Sequence, residues 1–137
     1  MDNKENSIVY FRDSNNNKMA LLIKNDYSEK GIHFLTDDSD YQQVAFMGHN
    51  KGHVIQPHFH NIVPREIDLT CETIVLKKGL LKVDLFENKS VIHSFVMKPG
   101  DILTLFSGGH GFNVIDDVEM VEIKQGPYVG LEDKTRF

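Results

Sequence analysis

The sequence predicts an all-β domain closed as a jelly-roll barrel, and three observations lead there. Short runs rich in Val, Ile, Leu and Phe alternate with polar residues at period two, and clusters of Gly, Asn, Asp and Pro punctuate them at hairpin spacing. No long stretch carries an apolar stripe at helical spacing. Many short antiparallel strands leave edges that need covering, and a closed barrel covers them.

Taken in order, the pattern predicts strands near 7–11, 19–24, 31–36, 42–48, 53–60, 71–78, 80–86, 91–97, 101–106, 110–115 and 118–124. Turn chemistry marks the joints: Asp13-Ser14-Asn15-Asn16-Asn17, Lys78-Gly79, Glu87-Asn88-Lys89, Pro99-Gly100-Asp101 and Asp116-Asp117. A short helix within 61–70 is the most helix the sequence admits. The tail from Gly126 to Phe137 combines Gly-Pro, mixed charges and a final aromatic residue, a composition suited to folding back or to pairing. With no repeat and no linker, the 137 residues read as one domain: N-terminal strands in 1–41, a barrel core in 42–124 and a tail in 125–137.

Composition narrows the function. At 40% hydrophobic and 26% charged residues the chain has the balance of a globular protein. A net charge of −5 offers no long-range attraction to nucleic acid or anionic lipid, so neither is an expected partner. No apolar run reaches the ~20 residues of a membrane span, and the polar start MDNKENS is unlike a signal peptide, which predicts a cytoplasmic protein. Cys71 is the only cysteine, so a metal site must use His, carboxylates or water.

Seven histidines occur, and His58-Phe59-His60 is the informative pair. Alternate strand residues point to one face, which would set both imidazoles side by side. Two such rings are costly neighbours in an apolar interior unless a metal holds them neutral and ligating. Glu72 opens the next strong strand, and His110 opens a later one after Ser107-Gly108-Gly109. Three imidazoles and one carboxylate suit Fe, Mn, Zn, Ni or Co without selecting among them. His49 and His53, four apart in a strand-and-turn context, are expected to be mainly exposed, and His33 and His93 are isolated.

These residues resemble the cupin pattern. Gly52, His58-x-His60, then Glu72 followed by Gly79 is similar to the first cupin motif; Pro99-Gly100-Asp101 with Phe106-Ser107-Gly108-Gly109-His110-Gly111-Phe112-Asn113 is similar to the second. The resemblance covers about residues 42–124 and implies a double-stranded β-helix whose divalent metal is held by His58, His60, Glu72 and His110. Eleven residues lie between His60 and Glu72 where the family usually has three or four, so Asn61–Cys71 reads as an inserted loop and Glu66 is a rival ligand. Glu72 is preferred for its distance to Gly79 and its place at the head of an apolar strand.

Strand parity predicts a mostly apolar cavity lined by Val54, Gln56, Ile74, Leu76, Phe112 and Val114, the usual form of a small-molecule site. Arg65 in the inserted loop is a candidate clamp for a carboxylate or phosphate, against the ordinary reading of a solvated arginine. Glu122 and Lys124 share one strand face. Facing outward they are a surface ion pair; facing inward they would orient substrate or carry a proton, and parity leaves both open.

The tail, through Lys124-Gln125-Gly126-Pro127-Tyr128 and Asp133-Lys134, resembles small cupins of bacterial surface-sugar assembly. The expected function is therefore a metal-dependent cupin acting on a small polar metabolite such as a sugar or nucleotide sugar, by isomerase or epimerase chemistry, or by dioxygenation if the metal is iron. The competing reading is a non-catalytic binding module. A homodimer is expected, because small β-barrels cover edge strands by pairing.

Overall fold

The computed structural model describes residues 6–137, and among them eight strands, no α-helix and a 3-10 turn at Gly130–Asp133. The all-β expectation holds. The strands are β1 (Ile8–Arg12), β2 (Lys18–Ile23), β3 (Gly31–Phe34), β4 (Ala45–Gly48), β5 (Glu72–Glu87), β6 (Ser90–Met97), β7 (Ile102–Leu105) and β8 (Gly109–Lys124). They fall into two compact units: a body, formed by residues 6–27 together with Thr70–Phe137, and a second unit, Ser28–Leu69. No helix among the described residues is long and apolar enough to cross a membrane.

The body is one curled antiparallel sheet, a half-barrel, in the order β1-β2-β7-β5-β6 with β8 on the other side of β5. The run Met19-Ala20-Leu21-Leu22-Ile23 is apolar throughout because β2 lies between β1 and β7 and is buried on both faces. β5 is the spine. β8 pairs with it from end to end, while β7 takes the other side at Glu72–Val75 and β6 takes it at Leu81–Glu87.

Two expected turns prove to be bends. Lys78-Gly79 and Asp116-Asp117 lie inside the continuous strands β5 and β8, where the ladder slips register between Leu76 and Leu81. Extra residues in a ladder bend a strand without ending it. Gly79 has φ +87°, and a Cβ there would sit 2.0 Å from the Asp117 carbonyl oxygen. The two sequence signals therefore mark one place, where the backbones of β5 and β8 press together and both turn. On the far side of β5, Leu76 N–H donates to the Asp101 carbonyl (3.1 Å) and Gly100 N–H to the Leu76 carbonyl (2.7 Å). The Pro99-Gly100-Asp101 turn thus occupies the gap between β7 and β6.

The other turns form as their residues predict. Asp13 accepts the backbone N–H groups of Asn15 and Asn17, and Asn16 takes φ 66°; Asn88 and Lys89 carry the positive φ values of the β5–β6 hairpin. Leu76, Leu81, Val83, Leu85, Met97 and Leu103, all at most 1% exposed, fill the concave side with Met19, Ala20 and Ile74. Each such side chain contributes roughly 1.5–3 kcal/mol of burial. The tail folds back on the body: the Thr70 hydroxyl bonds Asp133, and the Phe137 ring meets Phe86 edge-on at 5.2 Å.

The Ser28–Leu69 unit contains the β3–β4 hairpin and no buried residue. The strand expected at 53–60 is not formed, and neither is a helix in 61–70; every residue from Asn50 to Leu69 is exposed and without regular structure. Pro57 and Pro64 each remove a backbone donor, and within its unit the segment has no third strand to pair with.

Candidate metal centre

Glu72 is fixed by its place as the first residue of β5. Its neighbours across the sheet are Leu105 on one side and Lys124 on the other, and the preceding Cys71 is buried with its N–H donating to Gln125 Oε1 at 2.9 Å. Glu72 shares a face with Ile74 and Leu76, so its side chain stands on the concave side at the margin of the core.

His110 reaches the same place by another route. It is the ladder partner of Leu85, near the opposite end of β5. Thirteen strand steps would put Glu72 and Leu85 about 40 Å apart in a straight strand. Yet His110 Nε2 lies 3.2 Å from Glu72 Oε2. The bend at Gly79 brings the two ends of β5 round to each other, and the connection Phe106–Gly108 closes the distance. Phe106 N–H donates to the Met19 carbonyl (2.8 Å) and Ser107 Oγ–H to the Lys18 carbonyl (2.8 Å), which pins that connection to β2. Gly108 is required there: φ is +77°, and a Cβ would meet Met19 Cε at 2.7 Å.

The Glu72 side chain is 12% exposed and that of His110 32%. A separation of 3.2 Å is that of a hydrogen-bonded imidazole and carboxylate. It is also that of two donors on one ion, since ligands about 2.1 Å from a metal at right angles lie about 3 Å apart.

His58 and His60 belong to the other unit, with ring centroids 5.3 Å apart and planes at 77°. His58 Nδ1 lies 2.9 Å from the Gln56 carbonyl oxygen. A carbonyl only accepts, so Nδ1 is the donor in this contact, and Nε2 is the nitrogen left for a metal. The structure thus brings together two of the expected ligands in each unit. Among the described residues no group of three or more His, Cys, Asp or Glu side chains is gathered in the arrangement of a metal site.

The register resolves the question left by parity at Glu122 and Lys124. Glu122 lies opposite Ile74 and Lys124 opposite Glu72, and directly opposed residues share a face. Both therefore stand on the concave side, paired with each other at 3.5 Å, Lys124 Nζ to Glu122 Oε1. Of the predicted lining, Phe112 packs against the core margin, whereas Ile74 and Leu76 lie within the core and Val114 is exposed. Val54, Gln56, Arg65 and the rival ligand Glu66 are exposed in the Ser28–Leu69 unit, and Arg65 donates to the carbonyl of Val63 (3.3 Å). His53 is exposed as expected. His49 is half-buried, its ring stacked on that of His53 at 4.1 Å, because the turn at Lys51-Gly52 folds one over the other.

One feature escaped the motif pattern. A cleft of about 580 Å³ opens beside Gly108 and Gly109, with Met19, Phe86 and Phe137 as its apolar wall and Asn15, Asn88 and Lys89 at its rim. Its signal in the sequence was dispersed over two hairpin turns and the last residue, positions that only the folded-back tail unites. No family model, curated protein or solved structure matches the chain.

Proposed function

We propose that the chain is a metal-binding cupin, with its half-barrel part of a double-stranded β-helix, and that it acts on a small polar metabolite, a sugar or nucleotide sugar being the class expected. The observation that carries this reading is the Glu72–His110 pair: a carboxylate and an imidazole, far apart on the β5–β8 ladder, set 3.2 Å apart on the concave face. Glu72 and His110, with His58 and His60, would hold one divalent ion of the Fe, Mn, Zn, Ni or Co group. The ion would supply Lewis-acid polarisation of a hydroxyl or carbonyl of the substrate, or a site for dioxygen if it is iron.

The chain's own part in the chemistry falls to Glu122 and Lys124. They share a face with Glu72, and there they would take and return a proton at a carbon next to a carbonyl, as isomerisation and epimerisation require. Phe112 and Gln56 would contact the substrate, with Arg65 binding an anionic group. A single cysteine, Cys71, buried and outside any disulfide, suits a reducing, cytoplasmic setting.

Elemental analysis of protein purified without an affinity metal tests this. About one ion per chain is expected, falling to background in the His58→Ala/His60→Ala variant, and falling more in Glu72→Gln than in Glu66→Gln. Unchanged metal in the double histidine variant would overturn the site; the reverse order of the glutamates would move the ligand into the loop.

A further inference from the structure

We infer that Thr70, Asp133 and Phe137 are positioning residues: the tail from Gly126 to Phe137 is a strap that ties the residues before Glu72 to the residue before His110, and so sets the separation of that pair. The metal that the pair would hold rests on the reading above; the strap is a property of the metal-free chain.

The chain beyond β8 meets the body at points that flank the site. Where β8 runs out, Gln125 Oε1 accepts the N–H of Cys71 at 2.9 Å, and Cys71 directly precedes Glu72. Farther on, Asp133 accepts the hydroxyl of Thr70, the next residue back. Phe137 then sets its ring edge-on against Phe86, the ladder partner of Gly109, with centroids 5.2 Å apart. The same ring takes the space that a side chain on Gly109 would need, since a Cβ there would lie 3.0 Å from Phe137 Cζ. Gly109 directly precedes His110.

Length makes these anchors effective. The chain from Asp133 to Phe137 reaches at most about 14 Å when fully extended. A straight β5 would hold its two ends about 40 Å apart, so both anchors can be made only on the bent ladder. The ladder fixes His110 against Leu85 and leaves the relation of that end to Glu72 to the bend at Gly79. On the β2 side, the carbonyls of Met19 and Lys18 hold Phe106 and Ser107, and the glycine pair that follows has no side chains with which to resist displacement. The tail acts on the far side of that glycine pair. Phe137 is 64% exposed, so its ring adds little burial, and what its contact supplies is position.

The full chain is tested in two arms, with Thr70→Val/Phe137→Ala as the released strap and Thr70→Ser/Phe137→Tyr as the conservative control. In metal-free protein, nitrogen–proton NMR correlations of the His110 ring, assigned by their loss in His110→Ala, report its contact with Glu72, and Glu72→Gln marks the positions of a broken contact. Releasing the strap should move the signals more than halfway to those positions, with the thermal midpoint within about 5 °C of wild type, and the control should leave them in place. Unmoved signals would overturn the strap. So would an equal movement in Leu22→Val, a core variant remote from the tail, because general loosening would then explain both. In the second arm zinc alone is titrated into the same proteins, and it should bind about tenfold more weakly once the strap is released. Equal affinity overturns the positioning role. A wild type that binds no zinc sinks the metal reading and leaves the strap to be decided by the metal-free His110 signals.

Discussion

At the scale of single residues, a glycine and a register decide what the site contains. Gly79 is the point at which β5 turns, and it has no room for a side chain, since a Cβ would lie 2.0 Å from the Asp117 carbonyl oxygen at a φ of +87°. Gly79→Ala must either open the β5–β8 ladder at the bend or strain it. We expect a loss of about 2–4 kcal/mol in urea unfolding, more than any alanine at an exposed β8 position produces, with a weaker Glu72–His110 contact. The same residue was visible in the sequence as a turn signal, correctly placed and wrongly interpreted. A glycine with positive φ serves a hairpin and a bulge equally, and only the partner backbone distinguishes them. Glu122 and Lys124 were undecided for a related reason. Alternation separates two faces without saying which is concave, and the pairing of Lys124 with Glu72 supplies that.

At the scale of elements, stability is unevenly spread. The second half of β5 is paired on both sides, by β6 and β8, and carries Leu81, Val83 and Leu85, none more than 1% exposed. The β3–β4 hairpin has four residues in each strand and no buried side chain, so little opposes its opening. Hydrogen–deuterium exchange read by mass spectrometry should show amides of Leu81–Leu85 among the slowest and those of Gly31–Phe34 exchanging orders of magnitude faster; comparable rates would contradict this ranking. Most strands were legible because period-two patterning and turn chemistry are local. The 53–60 strand was predicted by the same pattern and is absent, because a strand needs a neighbouring ladder as well as alternation. The pattern states what His53–His60 is suited to and not what lies beside it.

At the scale of the molecule, one unit holds the core and the other holds none. All the buried residues among those described lie in the body, and the Ser28–Leu69 unit has no apolar interior from which to draw cooperativity. Calorimetry should therefore show one transition, that of the body, with no separate event for the second unit. Two resolved transitions would mean that Ser28–Leu69 folds independently.

By itself the sequence determined the all-β class, most of the strands, the chemistry of three turns and the residue types at hand for a metal, because propensity, alternation and turn preference act over a few neighbouring residues. Tertiary structure alone decided that two pairs of short strands are two long bent ones, that Glu72 and His110 touch although separated along the whole ladder, and that Glu122 and Lys124 share their face. Those facts depend on the curl of a sheet, which accumulates from backbone twist, bulges and close contacts between residues distant in the chain.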